Sequence, residues 1–194
     1  MILIDPGHAT PTESGMDHGV IANGLREADI ALEISKLVAA GVRAHGFSVG
    51  LTRTDNSGLA VARRKQLIAA DHVELVTSVH LNGAASEAAE GHETFVSAFN
   101  GESQRLGKSI AAQLLMGAAI KPRKPPIKTK LSSVTGRDYY YIIDTPTRAG
   151  IPSVLVEVGF LTSKKDAAIL GSFWGQFSTA YLIAQGVLDY LNVV

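Results

Sequence analysis

The sequence predicts an α/β fold, a single-domain three-layer sandwich in which a mostly parallel, twisted sheet is flanked by helices. Apolar segments of strand length alternate along the chain with amphipathic segments of helix length, which is typical of parallel sheets with helical crossovers. The chain has 194 residues, of which 46% are hydrophobic and 19% charged, enough apolar material for one core. We therefore expect residues 1–194 to form one domain.

The first part of the chain predicts a strand, a loop and a helix. Residues 1–5 (MILID) are an apolar run that leads into a Pro-Gly turn, typical of a buried strand. Residues 9–26 are rich in Gly, Thr, Ser and Asp without periodicity and predict a loop. From Glu27 to about His45 the apolar residues fall on one face, which predicts a helix, with Gly46 in the C-cap role.

The middle of the chain repeats this alternation. Residues 47–53 alternate as a strand and lead into a turn at 55–58. A second helix is predicted over 59–70. The apolar run 73–79 predicts a strand that ends at His80.

The C-terminal half predicts three further strands and two helices. The segment 121–138 interleaves basic residues with three prolines, and proline disfavours regular structure, so a surface loop is predicted there. Its basic part, 121–130, is more simply a solvated loop than a site for an anionic ligand. The remaining predicted elements are strands over 91–98, 139–143 and 152–158 and helices over 103–119 and 174–191.

Composition excludes several kinds of site. Lys+Arg and Asp+Glu both number 18, and the zero net charge predicts no global attraction to nucleic acid or to an anionic membrane. The chain has no cysteine, so a zinc ion must be held by His, Asp or Glu. No apolar run reaches the roughly 18 residues that a transmembrane helix needs. Because Met1 leads directly into an apolar strand, we expect no signal peptide.

Three polar residues stand at or near the ends of predicted strands. His8 follows the first strand, His80 follows 73–79, and Glu157 lies near the end of 152–158. Because ligands gather beyond the carboxyl ends of parallel strands, we expect these side chains to lie close together. Glu157 is the most unusual, since a carboxylate in an apolar strand is costly to bury without a compensating charge or hydrogen bond.

Two histidines and a carboxylate would suit a catalytic zinc ion, whose fourth position is left for water. Glu27, in the first turn of a predicted helix, is the best-placed third ligand beside His8 and His80. Glu157 would then take and return the proton of the attacking water. Each residue also has a structural explanation. A histidine after a strand is often a hydrogen-bonded turn residue, and Glu27 suits the dipole of a helix N-terminus.

Five motifs occur in an order and spacing that resemble the zinc N-acetylmuramoyl-L-alanine amidases of the amidase-3 type. They are IDPGH at 4–8, GLREAD at 24–29, TR at 52–53, TSVHLN at 77–82 and PSVLVEVGFLTS at 152–163. The resemblance covers essentially the whole chain. It implies one zinc ion held by His8, Glu27 and His80, with Glu157 as the catalytic acid/base. The implied reaction is hydrolysis of the amide between N-acetylmuramic acid and L-alanine in bacterial peptidoglycan.

The chain departs from the family pattern beside the site, where Ala9-Thr10 replaces the Gly-Gly that often follows DPGH. No departure touches a predicted ligand, so we expect activity to survive. Two alternatives stay open at this point, a zinc peptidase that cuts within the stem peptide and a wall-binding module without turnover. Peptidoglycan is the expected partner of a monomer that binds neither nucleic acid nor membrane.

No wall-binding domain is visible in residues 1–194. A leaderless amidase that begins at its first strand is typical of a phage endolysin, made in the cytoplasm and released to the cell wall. The same start also suits the catalytic domain excised from a secreted bacterial autolysin.

Overall fold

Strands and helices alternate along residues 1–192, the part of the chain that the computed structural model describes. This alternation confirms the predicted α/β class. The strands, in chain order, are β1 (Ile2–Pro6), β2 (Thr10–Thr12), β3 (Gly15–Asp17), β4 (Ile21–Ala22), β5 (Leu25–Arg26), β6 (Val49–Leu51), β7 (Leu75–Asn82), β8 (His92–Val96), β9 (Pro122–Lys128) and β10 (Ser153–Phe160). The helices are α1 (Glu27–Arg43), α2 (Val61–Ile68), α3 (Gly101–Gly117), α4 (Tyr141–Arg148), α5 (Lys164–Leu170) and α6 (Phe173–Tyr190).

The central sheet has six strands in the order β6-β1-β7-β10-β8-β9. The first four of these run parallel, and the last two run in the opposite direction. The mostly parallel sheet is therefore confirmed. The carboxyl ends of β1, β7 and β10 lie side by side at one end of the sheet, the position that the sequence indicates for a site.

Helices cover both faces of the sheet and give the predicted three layers. The larger hydrophobic cluster lies between the sheet and α1, α3 and α6, and a smaller one lies beneath α2 and α4. Helices α3 and α6 approach closely at Gly186, where an added Cβ atom would lie 2.4 Å from the Cα atom of Ile110. None of the described helices is long and apolar enough to span a membrane.

Several predicted boundaries need correction. The segment 9–26 contains two small hairpins, β2-β3 and β4-β5, rather than a loop alone. Helix α1 ends with Ala44 as its C-cap, so the predicted C-cap role of Gly46 is wrong; Gly46 lies two residues further with a φ of 86°. Strand β7 continues to Asn82 because it pairs with both β1 and β10, so His80 lies within the strand.

The prediction of a loop over 121–138 is wrong for residues 122–128, which form the edge strand β9. Proline is compatible with an edge strand, because an N–H that would face solvent is not needed for pairing. The predicted strand over 139–143 is also wrong, since helix α4 begins at Tyr141. An apolar run such as YYYII suits a buried helix face as well as a strand, and Ile142 and Ile143 are buried.

Candidate functional site

His8, Glu27 and His80 come together at the carboxyl ends of β1 and β7. Glu27 Oε1 lies 3.0 Å from His8 Nε2 and 3.1 Å from His80 Nδ1. One donor atom from each residue lies within 4.8 Å of the others. Ligand atoms around a tetrahedral zinc ion are about 3.3 Å apart, given bonds of about 2.0 Å. The three side chains therefore form a group that can bind one metal ion.

The backbone fixes Glu27 at the start of α1. Its Oε1 accepts a hydrogen bond from the Leu81 amide and its Oε2 accepts one from the Val20 amide, both at 2.9 Å. Burial alone would raise the pKa of Glu27, but hydrogen bonds and charges from His8 and His80 lower it well below its usual range. The carboxylate is thus ionised, as a metal ligand must be.

Asp17 orients His8 from the opposite side. Its Oδ2 atom lies 2.8 Å from His8 Nδ1, and its Oδ1 atom accepts a hydrogen bond from the Gly19 amide. With the Nδ1 proton donated to Asp17, the Nε2 atom points toward Glu27, which is the arrangement of a metal-binding histidine. Burial opposes protonation, but Glu27 and Asp17 together raise the pKa of His8 to about 9. Asp17 was not predicted from the sequence, because nothing distinguishes it there from other acidic loop residues.

Two glycines make room for this group. A Cβ atom on Gly7 would lie 2.5 Å from the His80 ring, and one on Gly19 would lie 2.4 Å from Glu27 Oε2. The loop between them bends through left-handed conformations, with φ of 60° at His8 and 50° at Ala9. Such angles are unfavourable for residues other than glycine, so the surrounding structure must hold the loop in place.

Two buried arginines, Arg53 and Arg64, hold that loop and are here called the arginine clamp. Arg64 donates to the carbonyl oxygens of Pro6 at 2.7 Å and His8 at 2.5 Å. Arg53 donates to the carbonyl oxygens of Pro6 at 3.1 Å and Gly7 at 2.6 Å. These bonds fix the backbone on both sides of Gly7, so that His8 faces the metal-binding group.

Asp5 connects the arginine clamp to the sheet. It forms a buried ion pair of 2.6 Å with Arg64 and accepts hydrogen bonds from Thr52 and Ser78. Every one of these groups is at most 6% exposed. The Asp of the DPGH motif is therefore a structural anchor, with no contact to the three predicted ligands among its hydrogen bonds.

Glu157 lies on β10 directly beside His80 on β7. It is 8% exposed, and its Oε2 atom has no hydrogen-bond partner within residues 1–192. Burial raises the pKa of Glu157 to about 7, against the opposing positive charge of His80. Its side chain is therefore an unpaired carboxyl group next to the metal-binding group, rather than one of its members.

All four predicted site residues line one cleft of about 810 Å³, here called the active-site cleft. Tyr139, Tyr140 and Tyr141, at the start of α4, line it as well. Glu93 was not predicted from the sequence. It lies opposite Glu157 on β8 and pairs with Arg123 and Lys128 of β9. The GHETFV segment gave no sign of these ion pairs, because the partners of Glu93 come from a stretch that was predicted to be a loop.

Known proteins share both the sequence pattern and the fold. A family profile described as N-acetylmuramoyl-L-alanine amidase matches residues 2–189. The uncharacterized protein YqiI of Bacillus subtilis is 32% identical over 98% of this chain and 84% of its own length. The N-acetylmuramoyl-L-alanine amidase AmiA of Salmonella typhimurium is 26% identical over 99% of this chain and 76% of its own length.

Among solved structures, the CwlD amidase from Clostridioides difficile, determined in complex with the GerS lipoprotein, has a TM-score of 0.85 and 28% identity. The match covers 100% of this chain and 98% of that one. The family profile extends over nearly every residue, and the fold matches along its full length. The chain therefore belongs to the N-acetylmuramoyl-L-alanine amidase family and is an enzyme of that family.

Proposed function

We propose that this enzyme uses one zinc ion, held by His8, Glu27 and His80, to hydrolyse the amide between the lactyl group of N-acetylmuramic acid and L-alanine. The observation that carries the proposal is the meeting of the three donor atoms within 4.8 Å, in the cleft that also contains Glu157. Relatives named N-acetylmuramoyl-L-alanine amidase support the choice of bond.

The donor set fits zinc rather than a harder cation. Two histidine nitrogens and one carboxylate oxygen are common protein ligands of catalytic zinc, whereas calcium and magnesium prefer oxygen alone. A zinc ion bound there would polarise the scissile carbonyl and lower the pKa of a bound water molecule to about 7. The hydrogen bond from His8 Nδ1 to Asp17 keeps Nε2 directed at the position where the cation binds.

Glu157 carries the proton in this proposal. Its unpaired oxygen and its pKa of about 7 allow it to accept a proton from the attacking water and to hold it within the cleft. It then donates that proton to the nitrogen of L-alanine as the amide bond breaks. A carboxyl group whose pKa lies near the working pH performs both transfers efficiently.

The rest of the assignment follows from the same site. All four residues come from one chain, so we propose that a monomer is active and that residues 1–194 act as the catalytic domain at the cell wall. Substrate binds in the active-site cleft, whose volume of about 810 Å³ is in the usual range for sites that hold small molecules.

Digestion of purified peptidoglycan tests the bond that is cut. Labelling of newly formed amino groups is expected to yield N-terminal L-alanine. Any other new terminus would identify a peptidase that cuts within the stem and would contradict the proposal. In parallel, the purified enzyme is expected to contain about one zinc ion per chain, to lose activity on chelation and to recover it when zinc is restored.

A further inference from the structure

A cluster of charged residues around the buried carboxylate of Glu93 lies beyond Glu157 in the sheet. Glu93, on β8, lies directly opposite Glu157 in the antiparallel pair β8-β10. Its Oε1 atom accepts a hydrogen bond of 2.9 Å from Asn82, which lines the cleft. Its Oε2 atom lies 3.0 Å from Arg123 Nε and also contacts the Lys128 ammonium group. Among the described residues, its ionic partners all come from the edge strand β9.

This cluster has more positive than negative charge. Two cations, Arg123 and Lys128, share the single carboxylate of Glu93. An ammonium group has three donors, and the Lys128 side chain, 26% exposed, uses one of them on Glu93. Within residues 1–192 the remaining donors of Lys128 have no hydrogen-bond partner, so they can bind a second carboxylate.

A second lysine extends the positive charge along the same side of the cleft. The Lys130 ammonium lies 3.9 Å from the ring centroid of Tyr139 and 5.3 Å from that of Tyr140. Both rings line the active-site cleft. A cation held over aromatic rings keeps its position while its remaining donors face solvent. Lys128 and Lys130 thus form a basic row beside the cleft.

The order of the strands gives this row a direction relative to the reaction. The metal-binding group lies on the β1 and β7 side of β10, and the basic row lies on the β8 and β9 side. In the proposed reaction, the nitrogen that receives the proton from Glu157 leaves with the peptide. This order allows the leaving peptide to extend toward β8 and β9.

The spacing between neighbouring strands indicates which residue of the peptide reaches the basic row. Opposed residues on neighbouring antiparallel strands have Cβ atoms about 5 Å apart, and the Lys128 ammonium lies beyond the Glu93 carboxylate. Since an extended peptide advances about 3.5 Å per residue, the second residue of the stem comes within reach. In peptidoglycan that residue is D-glutamate, or D-isoglutamine when its α-carboxylate is amidated.

We propose that Lys128, assisted by Lys130, binds the α-carboxylate of the second stem residue and so makes the enzyme specific for stems in which that group is not amidated. The inference rests on the proposed function, because it takes the direction of the leaving peptide from it. Lys128 acts here as a specificity-determining residue, and the bond cleaved remains the one assigned to the metal-binding group and Glu157.

The test uses two preparations of soluble, uncross-linked glycan strands whose tripeptide stems differ only in D-glutamate or D-isoglutamine at the second residue. The wild-type enzyme is expected to prefer the carboxylate form about tenfold in kcat/KM, the effect of one charge-assisted hydrogen bond. Lys128→Gln is expected to abolish this preference by slowing cleavage of the carboxylate form alone. Lys128→Arg, which keeps the charge, is expected to retain most of it.

Two further variants separate specificity from folding. Lys124→Gln removes the same charge from an exposed position on β9 and is expected to leave the preference unchanged. Lys130→Gln is expected to reduce the preference partly. Thermal denaturation shows whether Lys128→Gln is folded, and if it is not, Lys130→Gln still tests the inference.

Each contrary outcome points to a different error. Equal kcat/KM of the wild type on the two preparations would overturn the inference and leave the proposed function intact. So would an equal loss of kcat/KM on both preparations in Lys128→Gln. Absence of new N-terminal L-alanine from both preparations would overturn the proposed function and this inference with it.

Discussion

The carboxyl group of Glu157 can be tested without changing its volume. Glutamine fills the same space in β10 but cannot exchange a proton at neutral pH. We expect Glu157→Gln to bind as much zinc as the wild type and to lose about 100-fold or more of kcat, the usual contribution of a general acid/base. Metal analysis and release of N-terminal L-alanine from peptidoglycan measure the two properties separately.

The matched control is Glu33→Gln, which makes the same change at an exposed position of α1. We expect it to keep both zinc and activity. Full activity in Glu157→Gln would remove that residue from the mechanism, whereas loss of zinc from it would make Glu157 part of the metal-binding group.

Asp17 gives a second test at the scale of one residue, through the orientation of His8. Asp17→Ala removes the acceptor 2.8 Å from His8 Nδ1 and frees the ring to rotate. Loss of such a supporting carboxylate typically weakens metal binding by about 10–100-fold. Competition with a chelator measures the affinity, and Glu13→Ala, on an exposed turn between β2 and β3, serves as the control. Unchanged zinc affinity would show that the hydrogen bond does not orient the ligand.

Sequence alone could indicate His8, His80 and Glu157, because each occupies a recognisable position at or near a strand end. Glu27 depended mainly on the family resemblance, since an acid at a helix N-terminus already has a structural reason to be there. Asp17 had no such signal. Its role is defined by a contact with His8 across a turn, and neither composition nor periodicity records which acidic loop residue makes that contact.

At the scale of elements, helix α2 is tied to the loop after β1 by Arg64 of the arginine clamp. Arg64→Met would remove a fully buried partner of Asp5 and leave the carbonyl oxygens of Pro6 and His8 without one of their donors. Breaking one side of a buried ion pair costs about 3–5 kcal/mol. We expect a loss of that size in the free energy of unfolding, measured by chemical denaturation.

Arg63→Met serves as the control, because Arg63 is exposed on the same helix. It is expected to change the free energy of unfolding by no more than about 0.5 kcal/mol, as surface substitutions usually do. A similar loss in both variants would mean that the helix itself, rather than the contact with Asp5, was weakened.

Strand β8 contains a buried histidine that makes folding sensitive to acid. His92 is 1% exposed, and neither ring nitrogen has a hydrogen-bond partner within residues 1–192. Burial lowers the pKa of His92, partly opposed by the charge of Asp166. The folded state therefore holds the ring neutral, and stability is lost as the pH falls through the ordinary histidine pKa of about 6.5, where the unfolded chain takes up a proton.

We expect the free energy of unfolding to decline less between pH 7.5 and 5.5 in His92→Leu than in the wild type. His72→Leu, at an exposed position, is expected to follow the wild-type slope. Denaturation at a series of pH values measures all three slopes. Parallel slopes for the wild type and His92→Leu would show that the ring is protonated in the folded state as readily as in the unfolded chain.

The elements that sequence analysis misplaced share a physical cause. Strand β9 is stabilised by pairing with β8 at the edge of the sheet, so its three prolines cost less than they would in a central strand. Helix α4 buries Ile142 and Ile143 against the second hydrophobic cluster, although the apolar run equally suits a strand. In both cases tertiary contacts decide the conformation, and local preference does not contain that information.

At the scale of the whole molecule, the predicted metal ligands join segments that are distant in the chain. His8 follows β1, Glu27 begins α1 and His80 lies on β7, so one ion would connect two strands of the sheet with a helix that covers it. Without a cation, the two histidines and the carboxylate hold one another only through partly buried contacts of 3.0 and 3.1 Å. Zinc bound at this point should therefore stabilise the whole fold as well as the site.

A ligand that binds only the folded state at 100 times its Kd adds about 2.7 kcal/mol of stability. For a chain of this length, 1 kcal/mol raises the Tm by about 2–4 °C, so saturating zinc should raise it by roughly 5–10 °C relative to chelated enzyme. Calorimetry measures the shift independently of activity. Glu157→Gln should show the full shift and His80→Ala little of it, because of these two residues only His80 is a proposed metal ligand. An equal Tm with zinc and with chelator would mean that the three side chains do not hold a metal ion.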